Sequence, residues 1–142
     1  MAGADHAVLA DGFLASAKEL TEGRGVDIVL DPVGGDRFTD SLRSLAPQGR
    51  LLVVGFTAGE IPTVKVNRLL LNNVDVVGVG WGAFAFGKPE FLQHQWQELL
   101  PHLESGALSP PLGNEYSLEE TDKALTELDE RVATGKVIIR VR

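Results

Sequence analysis

The first thirty residues carry two kinds of apolar spacing. Between Phe13 and Leu20, apolar residues recur at the three- and four-residue intervals of one helical face, and two glycines follow them. Residues 26–30 read VDIVL, a β-branched run without alternation that is typical of a strand covered on both faces. The pattern therefore predicts a helix followed by a buried strand.

Helix-like and strand-like segments keep alternating as far as residue 79. Phe38, Leu42 and Leu45 share one helical face, and Asp36 is predicted as the N-cap of that helix. The remaining segments of this part are a short strand over residues 6–9, a helix over 36–46, a strand over 51–54, a short helix over 66–71 and a strand over 74–79. Alternation with short connections predicts a parallel sheet with helices on both faces.

The second half is predicted to be mainly helical. Residues 91–103 carry an apolar stripe, and Pro101 within it is expected to cause a kink or a tightened last turn. Ser117 and Glu120 have the spacing of a capping box that opens a second helix, and residues 137–141 predict a last strand. The face of this second helix that is expected to contact the core consists of Leu118, Leu125, Leu128 and Val132.

Composition excludes several kinds of site. Of the 142 residues, 44% are apolar and 23% charged, a balance typical of one folded domain, and there is no cysteine. Disulfide frameworks, cysteine zinc sites and thiol nucleophiles are therefore excluded. His94 and His102 lack the close carboxylate-histidine repeat of a helical metal motif, so we expect no metal.

Charge and hydropathy limit the kinds of partner that this chain is expected to bind. The chain has 20 acidic and 13 basic residues, a net charge of -7, and no run of Lys or Arg, so no nucleic-acid partner is expected. No segment reaches the ~20 apolar residues of a membrane helix, and the first residues lack the pattern of a signal peptide. We expect no membrane partner and a cytoplasmic location.

Glycines follow three of the predicted strands, in residues 31–35, 55–57 and 79–82. Open α/β sheets bind ligands at the carboxyl ends of their strands, where a glycine lets a flat ring or sugar phosphate approach the main chain. The alternative is that these glycines only form tight turns. Asp31 is likewise either a general base or ribose partner, or a cap for nearby backbone N–H groups.

Other candidate residues have equally ordinary alternatives. Trp81, Phe84 and Phe86 either line an apolar pocket for a planar substrate or cover a subunit contact. Arg131 and Lys136 either face a ligand or offset the dipole at a helix C-terminus. No Ser/His/Asp order or catalytically spaced carboxylate pair occurs, so acid-base and covalent catalysis have no support and no catalytic residue is assigned.

Four segments together resemble the zinc-independent quinone oxidoreductases of the medium-chain dehydrogenase/reductase superfamily. They are GADH at residues 3–6, GRGVDIVLDPVGG at 23–35, GRLLVVGF at 49–56 and RVATGKV at 131–137. The likeness covers nearly the whole chain, in order. The fingerprint G-x-G-x-x-G of the family's phosphate-binding turn is absent, as is the strand-loop-helix unit that contains it.

The resemblance implies an α/β fold in two parts. Residues 1–106 would form an incomplete Rossmann-type parallel sheet with helices on both faces, lacking its first strand and glycine-rich turn. Residues 107–142 would form a strand-helix-strand return segment that belongs to the catalytic domain of the parent enzyme. A sheet with this gap must leave edges unpaired, pair its strands differently or associate with another chain.

The resemblance also implies a function. Hydride would pass from NADPH or NADH directly to a quinone or enone, without a metal, in a parent that forms a homo-oligomer through the strand at residues 74–79. The chain alone is expected to be inactive. The alternatives are an enoyl or alkenal reductase, and a self-association module. Cofactor-binding positions carried over from the family are Gly34, Gly35, Gly55, Phe56, Val77, Gly78, Val79, Arg131 and Lys136.

Overall fold

The fold is that of a computed structural model, which describes residues 3–142. The chain divides into two compact units. Residues 6–89 form the first unit, and residues 90–142, with residues 3–5, form the second. The division into a partial Rossmann domain over 1–106 and a return segment over 107–142 stays a prediction.

The first unit alternates helices and strands, as its apolar spacing predicts. Its elements are α1 (Phe13–Leu20), β1 (Val26–Asp31), a 3-10 turn (Gly35–Arg37), α2 (Phe38–Ser44), β2 (Leu45–Val53), α3 (Asn67–Asn72), β3 (Asp75–Gly78) and α4 (Trp81–Ala85). The three strands form one sheet in the order β1-β2-β3, and both pairs are parallel. The α/β class and the parallel sheet are therefore confirmed.

The core of this unit lies between α2 and the sheet. Phe38 and Leu42 of α2 are buried there, as their helical spacing predicts, together with Leu45, Leu51 and Val74; Leu45, predicted to be on the same helix, is instead the first residue of β2. Leu51, in the middle of β2, has no exposed surface at all. Because β2 has a neighbour on each side, it is the strand on which the packing of the sheet depends.

Three expectations for the first unit are wrong. Residues 6–9 form no strand, because within residues 6–89 no strand lies beside them to share backbone hydrogen bonds. Asp36 lies inside the 3-10 turn and does not cap α2. β1 is not covered on both faces: Ile28 and Leu30 are 61% and 64% exposed, whereas Val29, which points to the other face, packs against the core.

The second unit contains the long helix α5 (Pro89–Glu104), followed by β4 (Leu112–Ser117), a 3-10 turn (Leu118–Glu120), α6 (Thr121–Asp129) and β5 (Lys136–Arg140). β4 and β5 pair in parallel with α6 between them in sequence. The predicted capping box is present, and the Glu120 carboxylate accepts a hydrogen bond from the Ser117 backbone N–H at 3.3 Å. The pattern gave no position for β4, whose residues do not alternate in polarity.

The predicted core face of α6 is wrong. Ala124 and Glu127 are the buried residues of this helix, because they contact the two-stranded sheet. The four apolar side chains expected in the core, Leu118, Leu125, Leu128 and Val132, are each more than half exposed.

Candidate functional site

The three glycine-containing loops follow the carboxyl ends of the three strands, at the same end of the sheet. Asp31 of β1 is paired with Val53 of β2, and Val53 with Gly78 of β3, so the strands end side by side. The backbone N–H of Val79 donates to the Val53 carbonyl oxygen at 2.9 Å and extends this alignment past the end of β3. The carboxyl edge of the sheet therefore brings together the loops that the sequence marked as candidates.

The loops after β1 and β2 are joined by main-chain hydrogen bonds. The Thr57 N–H donates to the Pro32 carbonyl oxygen at 3.1 Å, and the Ala58 N–H donates to the Val33 carbonyl oxygen at 3.0 Å. A Cβ on Gly55 would lie 3.2 Å from the Pro32 carbonyl oxygen, so a glycine there permits the close approach of the two loops. The result is a cross-bonded pair of loops above the sheet.

Asp31 caps the loop that follows it. Its Oδ1 accepts hydrogen bonds from the backbone N–H groups of Val33 and Gly34, each at 2.9 Å, and the residue is 7% exposed. An aspartate that binds the N–H groups two and three residues ahead forms the local turn typical of this residue. Of the two sequence interpretations, the structure supports the cap.

Gly34 and Gly35 are explained by the fold of the loop itself. Their φ angles are +67° and +68°, in the region that favours glycine. A Cβ on Gly34 would lie 3.1 Å from Cδ1 of Phe56, and a Cβ on Gly35 would lie 2.9 Å from Cβ of Ala58. Tight packing between the loops thus accounts for both glycines, and their proposed contact with a cofactor remains a prediction.

Gly78 differs from these glycines. Its backbone has no positive φ, and a Cβ placed on it would meet no atom of the described chain within 4 Å. Val77 and Val79 on either side are each 38% exposed. Neither turn geometry nor internal packing requires a glycine here, and its absence of a side chain leaves the main chain of β3 open to a flat ligand.

The aromatic candidates form a surface cluster on α4 and the turn after it. Trp81 and Phe86 meet edge to face with ring centroids 6.1 Å apart, and Lys88 Nζ lies 3.3 Å from the centroid of the Phe84 ring. Trp81, Phe84 and Phe86 are 46%, 53% and 76% exposed. A substrate pocket and a subunit contact both remain open as roles for this cluster.

Arg131 and Lys136 belong to the second unit. Arg131 follows α6 with a φ of +57°, and its backbone N–H donates to the Leu128 carbonyl oxygen at 3.2 Å. Lys136 begins β5, where its N–H donates to the Pro111 carbonyl oxygen at 2.9 Å. Both residues are exposed, and their role at a cofactor stays a prediction.

The sequence analysis missed a polar cluster in the second unit. Glu127 is 8% exposed and accepts hydrogen bonds from the Tyr116 hydroxyl at 2.7 Å and from Asn114 Nδ2 at 3.2 Å. The bond to Glu127, and to a lesser extent desolvation, raises the pKa of Tyr116. No spacing in the sequence signals this cluster, because Glu127 meets Tyr116 and Asn114 only through the packing of α6 against β4.

Two structural features were not found in residues 3–142. This part of the chain has no group of three or more His, Asp or Glu residues placed to hold a metal ion. None of its helices is long and apolar enough to cross a membrane.

Comparisons with known proteins agree with this architecture. A family model described as zinc-binding dehydrogenase matches residues 2–139. Quinone oxidoreductase-like protein 2 of Bos taurus is 38% identical over 118 residues, which cover 83% of this chain and 34% of that protein. The chain thus spans about a third of the length of this curated relative.

Solved structures show the same fold. The quinone oxidoreductase of Pseudomonas syringae pv. Tomato DC3000 superposes with a TM-score of 0.78 at 32% identity, over 90% of this chain and 39% of that one. A mycobacterial protein solved in complex with NADPH superposes with a TM-score of 0.81 at 30% identity, over 98% of this chain and 44% of that one. The chain therefore belongs to the zinc-binding dehydrogenase family and corresponds to the C-terminal, Rossmann-like part of medium-chain dehydrogenase/reductase proteins similar to quinone oxidoreductases.

Proposed function

We propose that this chain forms the nicotinamide side of the cofactor site in an NAD(P)H-dependent reductase of quinones or enones. The observation that carries the proposal is the open main chain at Gly78, next to the cross-bonded loops at the carboxyl edge of the sheet. Membership of the family and the NADPH named for the mycobacterial structure support the choice of cofactor. The choice between NADPH and NADH is left to experiment.

In this proposal, a dinucleotide would lie along the carboxyl ends of the three strands. Gly78, between Val77 and Val79, would offer bare backbone and apolar side chains to the nicotinamide. Gly55 and Phe56 would lie near its ribose. Further along, Gly34 and Gly35 would lie beside the adenosine or its ribose. Arg131 and Lys136 stay cofactor-binding positions that the family resemblance implies.

In this proposal, these residues contribute to the reaction by positioning the cofactor. When bound, the reduced nicotinamide supplies a hydride that reduces the acceptor directly. The apolar side chains of Val77 and Val79 would exclude water from the ring, and the capped loop at Asp31 would hold the neighbouring backbone rigid. No side chain of this chain is assigned a proton transfer, and independence from zinc remains part of the proposal.

A methyl group at Gly78 tests this proposal. The variant is tested in the protein encoded by the complete reading frame that contains this sequence. There, Gly78→Ala should raise the KM for the nicotinamide cofactor by about tenfold, because the added Cβ occupies the proposed place of the ring. Gly87→Ala is the matched control, since Gly87 also has no positive φ and nothing within 4 Å of a Cβ. Equal kinetics for the two variants would exclude a ring against Gly78.

Acceptor specificity is a separate question. Rates with quinones and with α,β-unsaturated ketones distinguish a quinone reductase from an enoyl or alkenal reductase. A protein that oxidises neither nicotinamide with either acceptor class would overturn the proposed activity. The chain of 142 residues alone is expected to bind the cofactor weakly, because its sequence contains no G-x-G-x-x-G turn for the pyrophosphate.

Self-association through β3 is the second candidate. β3 is an edge strand, and its unpaired backbone groups can extend the sheet into a second copy. Sedimentation at micromolar concentration tests this candidate, and a clean monomer excludes it.

A further inference from the structure

A cavity of about 430 Å³ lies near the amino ends of the three strands, at the end of the sheet opposite the glycine-containing loops. Leu45 at the start of β2 and Val74 just before β3 form part of its apolar lining, together with Leu42 of α2. The volume lies within the range of small-molecule sites. All of its lining residues belong to the first unit.

The lining of this cavity has a charge opposite to that of the chain. Lys18, Arg24, Arg43 and Arg68 line it, and none of its described lining residues carries a carboxylate. The whole chain has a net charge of -7. Four of its 13 basic residues thus converge on one cavity, which raises the local concentration of anions.

Two of the four cations have no acidic partner. Arg24 and Arg43 form ion pairs with Asp27 and Asp40; both arginine side chains are more than half exposed. Lys18 and Arg68 enter no ion pair within residues 3–142, although both are only partly exposed. Lys18 Nζ has only a long hydrogen bond, 3.5 Å, to the Leu45 carbonyl oxygen.

Helix dipoles explain only part of this arrangement. Lys18 and Arg43 lie in the last turns of α1 and α2, where a cation offsets the negative helix end. Arg68 is the second residue of α3, at the end where the dipole disfavours a cation. Arg68 is therefore a partly exposed cation at a helix end that does not favour it, without an ion pair in residues 3–142, which leaves its charge available to a bound anion.

We propose that this cavity binds a multiply charged oxyanion, the phosphate or pyrophosphate group of a small molecule. Arg68 and Lys18 would be its principal charge partners, because neither is engaged by a carboxylate. The amide of Asn73, which also lines the cavity, is an additional donor, whereas that of Asn72 already donates to the Arg68 carbonyl oxygen at 2.6 Å. The site lies across the sheet from the glycine loops and is independent of the nicotinamide proposal.

Calorimetric titration of the 142-residue chain with pyrophosphate, and separately with inorganic phosphate, tests the site at constant ionic strength. Arg68→Gln and Lys18→Gln should each raise the Kd of pyrophosphate by about tenfold. Lys65→Gln is the matched control, since it removes the same charge from an exposed position of the same unit, and its Kd should stay within about twofold of the parent. Tighter binding of pyrophosphate than of phosphate would identify a site for two linked groups.

Two results would overturn the proposal: no saturable heat with either anion, or an equal loss in the Lys65→Gln control. If Arg68→Gln does not fold, as judged by circular dichroism, Lys18→Gln decides the question. Gly78→Ala should leave the Kd of pyrophosphate unchanged, so that failure of this site and failure of the nicotinamide site give different results.

Discussion

The hydroxyl of Tyr116 donates a hydrogen bond of 2.7 Å to Oε2 of Glu127, which joins β4 to α6. This bond is the main cause of the raised pKa of Tyr116, because the neutral phenol donates to a carboxylate that would repel the phenolate. Tyr116 is the single tyrosine of the chain, so that its ionisation is directly observable.

We therefore predict that the phenolate absorbance of the folded chain appears at higher pH than that of the unfolded chain. A pKa raised by folding means that the stabilisation is complete below the unfolded pKa of about 10 and is lost as pH rises through the folded value. Asn114→Ala is the comparison variant: it removes the longer bond to Glu127 and also an interaction of Asn114 that lowers the pKa of Tyr116, so it should not lower the folded-state midpoint. A folded-state midpoint at or below the unfolded one would contradict the bond.

Asp31 is predicted to act as a cap and not as a general base. Asp31→Ala should lower the free energy of unfolding by about 1–3 kcal/mol, because two N–H groups lose their acceptor. Asp31→Asn keeps an acceptor oxygen and should restore most of the stability, as measured by urea unfolding. If Asp31→Asn restored stability but abolished reduction in the full-length protein, the carboxylate would have a chemical role.

Leu51 should be the most sensitive apolar position of the sheet. Leu51→Ala removes a side chain with no exposed surface and is expected to cost about 2–5 kcal/mol of unfolding free energy. Ile61→Ala, at a side chain that is 70% exposed, should change it by less than about 0.5 kcal/mol. Similar urea midpoints for the two variants would show that β2 is not at the centre of the packing.

Alanine substitutions at Gly23 and Gly25 distinguish the energetic cost of backbone strain from that of steric overlap. Both have positive φ, +86° and +97°, but a Cβ on Gly23 meets nothing within 4 Å, whereas one on Gly25 would lie 2.6 Å from the Ser44 carbonyl oxygen. Gly23→Ala should cost about 1–2 kcal/mol from the left-handed backbone alone. Gly25→Ala should cost clearly more, because the overlap is with main-chain atoms that cannot rotate away. Equal thermal midpoints would contradict the close approach of the β1 entry to α2.

Local patterns predicted the elements that are stabilised by their own neighbours in sequence. The helix Phe13–Leu20 and the strand Val26–Asp31 follow from apolar periodicity and β-branched content, and the capping box at Ser117 follows from a three-residue spacing. The alignment of the strand exits was also predictable, because parallel strands end at a common edge. Residues 6–9 show the limit, since an apolar tetrapeptide becomes a strand only beside another strand.

The basic cavity and the buried polar cluster had no such local signal. Lys18, Arg43 and Arg68 come from three different helices, and only the packing of those helices brings them to one place. Glu127 is buried only because α6 packs on the paired strands β4 and β5, where Tyr116 and Asn114 donate to its carboxylate.

By itself, the amino-acid sequence determined the α/β class, the parallel sheet, the glycines at the strand exits and the resemblance to a family. These depend on spacing within short segments and on the rule that short crossovers join parallel strands. The tertiary structure alone decided which apolar faces are covered, that Asp31 is a cap, that the main chain at Gly78 at the end of β3 is open, and that four cations share a cavity. Such properties depend on contacts between residues that are distant in the chain, and burial and pairing are set by those contacts.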